Sequence, residues 1–388
     1  MSDFRPISLT PILCKILERL VVKRWILPKL GTKVDLSQFA YIPRNGSGAT
    51  SAPTLMQHKI LKFLDVSSGC VRILSIDFAK AFDKVSHCGI LRAVERFGLP
   101  REAVFWIASF LSERYQRVCV GNHVSRWHCV PSGVPQGSVI GPLLFCLFVA
   151  DLSSICDNSV TFKYADDVTI VHFVRKNCDD RLQEELNNVL TWSSSRHLPV
   201  NESKCCVLDI ITSKTFQPTP VLDLQGRVIP QVSQLRLLGV TLCHDLKWNI
   251  HVESILNKSC KRIYLIRNLK RSGCPVSELL RVYNTMIRSM ILYAYPSFCN
   301  LSGYLQEKLL NFERRIFRII GEKNSETILE AGDQFCKRLF QKVELSCDHP
   351  LRECFKLRQN FRTRSSTQLL PCSSKTVRLS KSFIRFSS

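Results

Sequence analysis

The chain has 388 residues, 45% apolar and 22% charged, which excludes a disordered chain and leaves room for two or three domains with a substantial core. Lys and Arg number 54 against 32 acidic residues, a net charge of +22 that points to a polyanionic partner, nucleic acid before a merely basic surface. Its 18 cysteines are scattered with no CxxC pair and no signal peptide ahead of them, which excludes a small disulfide-stapled secreted domain and favours a reduced intracellular chain.

Thr10 and Pro11 read as an N-cap and first-turn proline, and Ile12, Leu13, Ile16, Leu17, Leu20 and Val21 recur at helical spacing towards Gly31. That spacing predicts an amphipathic helix. A loop at Pro43 to Gly48 precedes a second helix over Thr50 to Leu64. "CVRILSIDF" reads as a buried strand, followed by helices over Lys80 to Phe97 and Arg101 to Leu111. Gln116 to Val120 and Val124 to Val130 flank Gly121-Asn122 as a hairpin. The apolar run Val139 to Ala150 holds Gly141 and Pro142 and has twelve residues, against roughly 20 for a membrane span; no transmembrane segment is expected. A helix over Asp180 to Ser195 and strands over Cys206 to Ile211 and Leu235 to Leu242 complete an α+β or α/β core ending near residue 245. Beyond it, Ile250 to Leu269, Val276 to Leu292 and Tyr304 to Ile320 read as helices of a separate basic domain. The tail from Leu351 to Ser388 carries nine Lys/Arg and one acidic residue, Glu353, and is expected to be loosely ordered or folded onto a partner. Cys347, His349 and Cys354 lack the paired spacing of a zinc site.

"VTFKYADDVTI" sets Asp166 and Asp167 side by side between two runs of strand character, so they fall at or near a hairpin tip. A solvated turn is the plain reading of two such residues. A second reading is chemical: converging carboxylates hold a pair of divalent ions about 3.5–4 Å apart for in-line phosphoryl transfer. Asp77, at the end of the strand in "LSIDFAKAFDKV", supplies the further carboxylate that this reading requires.

These segments, with "FRPISLTPILCKILERL", "QFAYIPRNGSGAT", "SGVPQGSVIGPLLFCLF", "LPVNESKC" and "LRLLGVTL", closely resemble the reverse transcriptases of non-LTR, LINE-type, jockey-like retrotransposons over nearly the whole chain. The resemblance implies an α+β right-hand polymerase. Partial fingers would span 1–70, a ferredoxin-like palm with inserted finger elements and the primer grip 71–245, a helical thumb 246–325, and a basic tail 326–388. It implies an RNA-directed DNA polymerase using RNA template, DNA primer, dNTPs and two Mg²⁺ ions, with Mn²⁺ as an alternative. Metal ligation would fall to Asp77 and Asp166, with Asp167 and the Phe78 carbonyl in support. Phe82 would be the steric gate against ribose, Gln136 and Gly137 would line the nucleotide pocket, Arg5 would bind triphosphate, and Lys204 would protonate pyrophosphate. Asp83 and Asp151 are read as structural. Two departures stand out: only four residues precede Arg5, so upstream fingers strands and an endonuclease are expected to come from elsewhere, and Ala40 and Ile42 stand where relatives carry "GFR". The rival readings are an inactive element relic that still binds nucleic acid, an intron maturase and an RNA-dependent RNA polymerase. The expected location is intracellular, in the nucleus when acting on target DNA or in a cytoplasmic ribonucleoprotein.

Overall fold

The computed structural model describes residues 7–30, 35–42, 46–211, 219–322, 326–357, 369–371 and 373–387. The first predicted helix forms as Ile12–Val21 and continues through a π turn at Val22–Ile26 into Leu27–Leu30. Pro11, one residue later than expected, is its N-cap, and the Thr10 hydroxyl has no partner among the described residues. Apart from Val21, which is buried, the apolar stripe does not face the core. Ile12 and Leu13 are 78% and 79% exposed, and Ile16, Leu17 and Leu20 are exposed beside them, whereas Glu18 is buried. The reason lies in what Glu18 meets. Its carboxylate accepts the N–H groups of Val139 and Ile140 at 2.6 and 3.0 Å, just ahead of the buried helix Gly141–Phe148, whose first amides lack intrahelical acceptors.

Four strands pair antiparallel in the order β2-β3-β1-β4: β1 (Gly69–Ile76), β2 (Ser159–Tyr164), β3 (Asp167–Arg175) and β4 (Cys206–Ile211). Helices intervene between β1 and β2 and, as Leu182–Arg196, between β3 and β4, a β-α-β-β-α-β sequence. The helix expected from Lys80 to Phe97 is divided into Ala81–Lys84 and His87–Arg96, because the Ser86 hydroxyl recaps the chain by accepting the Gly89 N–H at 3.3 Å. Alternation along the strands separates two faces. Leu74, Ile76, Val168, Ile170 and Val207 share a core with the helices His87–Arg96, Gly141–Phe148 and Leu182–Arg196. Val71, Ile73, Phe162, Val171 and Ile210 pack on the opposite side with the Ser51–Val66 helix. At the sheet's far end Arg72 is buried, donating to Asp209 at 3.0 Å, Asp180 at 2.6 Å and the Pro220 carbonyl at 2.8 Å.

The strand expected over Leu235 to Leu242 is instead a hairpin of Gln234–Leu237 and Val240–Cys243, reversed at Leu238 and Gly239, both at positive φ. After it come helices Asn249–Arg271, Val276–Val282 with a π extension at Tyr283–Arg288, and Gly303–Ile320. A further helix, Ile328–Leu345, was not expected; it opens with a reciprocal cap between Thr327 and Glu330. The apolar sides of these helices share one core with the second face of the sheet. The described part of the tail is ordered against the expectation. Phe355–Leu357 pairs with Leu369–Pro371, Leu379, Phe383 and Ile384 are buried, and Asp65 accepts the N–H groups of Lys375 and Thr376 at 2.8 and 2.5 Å. Apolar residues spaced among the basic ones supply the buried surface that the charge count hides. No helix among the described residues is long and apolar enough to cross a membrane.

Candidate active site

β1 and β3 are neighbours, and their register ends with Ile76 opposite Val168. One step further the strands carry Asp77 and Asp167, which by alternation lie on the same face, opposite to that of Ile76 and Val168. Tyr164 pairs with Asp167 and closes a two-residue loop of Ala165 and Asp166. The topology thus brings Asp77, Asp166 and Asp167 to one end of two central strands.

Asp77 is held in place by a segment far along the chain. Its carbonyl accepts the Asn201 N–H at 2.7 Å, its Oδ2 accepts from the Asn201 side-chain amide at 3.1 Å, and the Lys204 ammonium stands 3.2 Å from the same oxygen. Phe78 continues the pairing as an antiparallel bridge to Val200, with its ring buried 5.8 Å from Trp192. Lys204 is 62% exposed, so its pairing with Asp77 is largely solvated and weak. Asn201 was not singled out from the sequence, although it lies inside the quoted "LPVNESKC". Among the described residues no three His, Cys, Asp or Glu side chains are gathered closely enough to ligate one metal ion. The aspartates share an end of the sheet, with the Asp77 carboxylate turned to Asn201 and Lys204.

A second group surrounds Phe82. Its half-buried ring stacks on Phe145 at 4.7 Å with the planes 25° apart, and its carbonyl accepts the Val134 N–H at 2.7 Å. Gln136 donates from Nε2 to Asp83 at 2.9 Å, and its carbonyl accepts the Ser8 N–H at 2.7 Å. Gly133, at φ 84°, and Gly137, at φ 112°, leave no room for a side chain: a Cβ would lie 2.6 Å from the Asp83 carbonyl oxygen in the first case and 2.8 Å from that of Ser8 in the second. A cleft of about 340 Å³ opens here, lined by Ser8, Lys80, Asp83, Arg114, Ser132 and Gln136. Asp83 therefore orients the glutamine of "PQG", and Asp151 is engaged elsewhere by Arg96, Arg196 and Trp192. Arg5 lies outside the described residues.

The family described as "Reverse transcriptase (RNA-dependent DNA polymerase)" matches residues 1–242. This chain belongs to the reverse transcriptase family. Over 311 residues it is 32% identical to the "Probable RNA-directed DNA polymerase from transposon BS" of Drosophila melanogaster, covering 75% of this chain and 33% of that protein. Over 336 residues it is 28% identical to the "RNA-directed DNA polymerase from mobile element jockey" of the same species, covering 80% and 35%. This reverse transcriptase chain spans about a third of the length of these curated relatives. Among solved structures, apo telomerase from Candida tropicalis aligns at a TM-score of 0.45 and 11% identity, covering 88% of this chain and 55% of that one.

Proposed function

We propose that this chain is the polymerase segment of a non-LTR retrotransposon protein, extending a DNA primer 3′-hydroxyl on an RNA template with dNTPs. The observation that carries the reading is the register that sets Asp77 beside Asp167, with Asp166 at the adjoining hairpin tip. The strand order β2-β3-β1-β4 supports a ferredoxin-like palm over 71–245, and the helices after it support a thumb over 246–325, with fingers elements before residue 70 and the tail after 326.

The donor set suits a hard divalent cation. Asp77 and Asp166 would hold two Mg²⁺ ions, or Mn²⁺, with Asp167 and the Phe78 carbonyl in support; bound there, the ions would supply activation of the 3′-hydroxyl and neutralisation of the leaving pyrophosphate. The residues of the chain do the rest. Asn201 limits the orientations open to Asp77 by gripping its backbone and side chain together. Lys204 is a solvated counter-charge with the reach to turn from Asp77 to the departing pyrophosphate and give it a proton. Gln136 and Gly137 form a wall of the nucleotide pocket, and Phe82, braced by Phe145, crowds a ribose 2′-hydroxyl. Arg5 is assigned to the triphosphate on the family resemblance.

Primer extension on poly(rA)/oligo(dT) with Mg²⁺ and dTTP tests the reading. Asp166→Asn should abolish extension and leave primer–template affinity within about twofold, since the basic surface does the holding. Extension that survives Asp166→Asn, or an inactive wild-type chain, would overturn it.

A further inference from the structure

We propose that Gln38 is a positioning residue for the reaction, holding the backbone of the hairpin tip so that Asp166 is presented to the metals in one orientation. The inference rests on the two-metal reading above. It names a residue to which neither the sequence motifs nor the family resemblance assigned a role.

The tip needs an external hold. Ala165 sits at φ 56°, in the left-handed region that glycine or asparagine ordinarily fills. An alanine persists there only where its surroundings specify the conformation. Gln38 supplies the specification: its Oε1 accepts the Ala165 N–H at 3.0 Å and the Ala40 N–H at 3.0 Å. Gln38 is 0% exposed and Ala165 5%, so water has no access to replace that oxygen. Two N–H groups aimed at one atom also fix which end of the amide faces the loop, because a flipped amide would oppose donor to donor.

The other end of the same amide makes the case stronger. Nε2 is buried with no partner among the described residues, an unfavourable arrangement that an apolar side chain of equal length would avoid. Such a side chain would, however, leave the Ala165 amide without an acceptor. The glutamine is explained by its oxygen.

Gln38 is anchored on both sides. Ser37 accepts the Lys163 N–H at 2.8 Å and Phe39 donates to the Lys163 carbonyl at 2.8 Å, so residues 37–39 run as a short parallel addition to β2. The buried Lys163 side chain pairs with Asp35 and donates to the Val149 and Leu152 carbonyls at 2.9 and 2.6 Å. The segment before Ala40 is thereby fixed to the strand that leads into the tip, and Gln38 transmits that rigidity across to Ala165.

The test reads metal affinity without turnover: Mn²⁺ binding by electron paramagnetic resonance, on the chain bound to a dideoxy-terminated primer–template and the matching dNTP. Gln38→Met should weaken Mn²⁺ binding about tenfold, equivalent to ~1.4 kcal/mol, with primer–template affinity unchanged. Adding Ala165→Gly, which removes the left-handed penalty, should recover part of the loss. Gln38→Glu keeps an acceptor oxygen at the same reach and should stay within about threefold of wild type; it also serves if the methionine variant does not fold. A lowered Tm with unchanged Mn²⁺ affinity would overturn the inference alone, as would a glutamate variant as weak as the methionine one. A wild-type complex that binds no Mn²⁺ would overturn the two-metal reading and this inference with it.

Discussion

Phe82→Val separates selection of deoxyribose from simple core packing. The ring is half-buried against Phe145, 4.7 Å away, so truncation has a structural cost whatever its role. Phe→Ala at a fully buried site costs ~3–5 kcal/mol. Valine keeps part of the volume and part of this ring already lies outside the core, which reduces that to ~1–2 kcal/mol, with ~0.5–1.5 kcal/mol more for the lost ring stacking. A fall in Tm of several degrees is therefore expected. Selectivity should change by a different amount: opening a pocket by a small group is worth about 10–200-fold in discrimination. Single-turnover incorporation of dTTP and UTP on poly(rA)/oligo(dT), beside a melting curve, reads both. A lowered Tm with the dTTP/UTP ratio unchanged would refute the gate, and the Phe145 stack would then be the whole reason for an aromatic at position 82.

Acidification should destabilise the fold between about pH 6.5 and 4. His58 and His251 are buried, and loss of water, followed by Lys62 and Lys59 for His58 and by Lys258 and Arg236 for His251, pushes each pKa down to about 4. The unfolded chain takes up those protons first, near 6.5, so this stability is complete above that pH and is lost as pH falls; each ring contributes ~3 kcal/mol. Urea midpoints that stay flat across the window would refute it. Asp209→Asn removes a carboxylate from Arg72, both side chains being 2% exposed, and should cost about 3 kcal/mol, the low end for a broken buried pair because Asp180 remains. Replacing Arg72 and Asp209 together by Met and Leu also takes the guanidinium from Asp180, 2.6 Å away and 9% exposed, and should cost more than the single change; chemical unfolding of the two variants checks the order.

What could be read from the sequence was what local pattern encodes. The run into Asp77 and the alternation around Asp166 and Asp167 marked two strands and a tip, and the register of β1 on β3 follows from burying Leu74, Ile76, Val168 and Ile170 on one side. The helix-forming stripe of Ile12 to Leu20 was equally visible, but its direction was not. A periodic pattern reports that one side is apolar; which side meets the core was decided by Glu18 finding two unpaired amides 121 and 122 residues away. The same holds for Asn201, Asp83 and Gln38. Each is an ordinary polar residue by composition, and each acquires its place from a partner that only the closed fold delivers. The Gly239 reversal was legible in principle, since a glycine inside a strand pattern is a breaker.

The strap between Asp65 and the backbone of Lys375 and Thr376 joins positions 310 and 311 residues apart, and the Lys59 and Glu353 side chains meet across 294 residues. Ribosomes add roughly 5–20 residues per second, so the Ser51–Val66 helix waits on the order of 15–60 s after its own synthesis for these partners to emerge. During that interval the face carrying Leu55, Met56 and Ile60 has the sheet to cover it only once β3 is made, and the Asp65 carboxylate at its end waits for the tail. Production of the chain is therefore expected to be sensitive to chaperone supply, and loss of residues 375–388 to lower soluble yield, though they lie far in sequence from every aspartate of the hairpin and its neighbour strand.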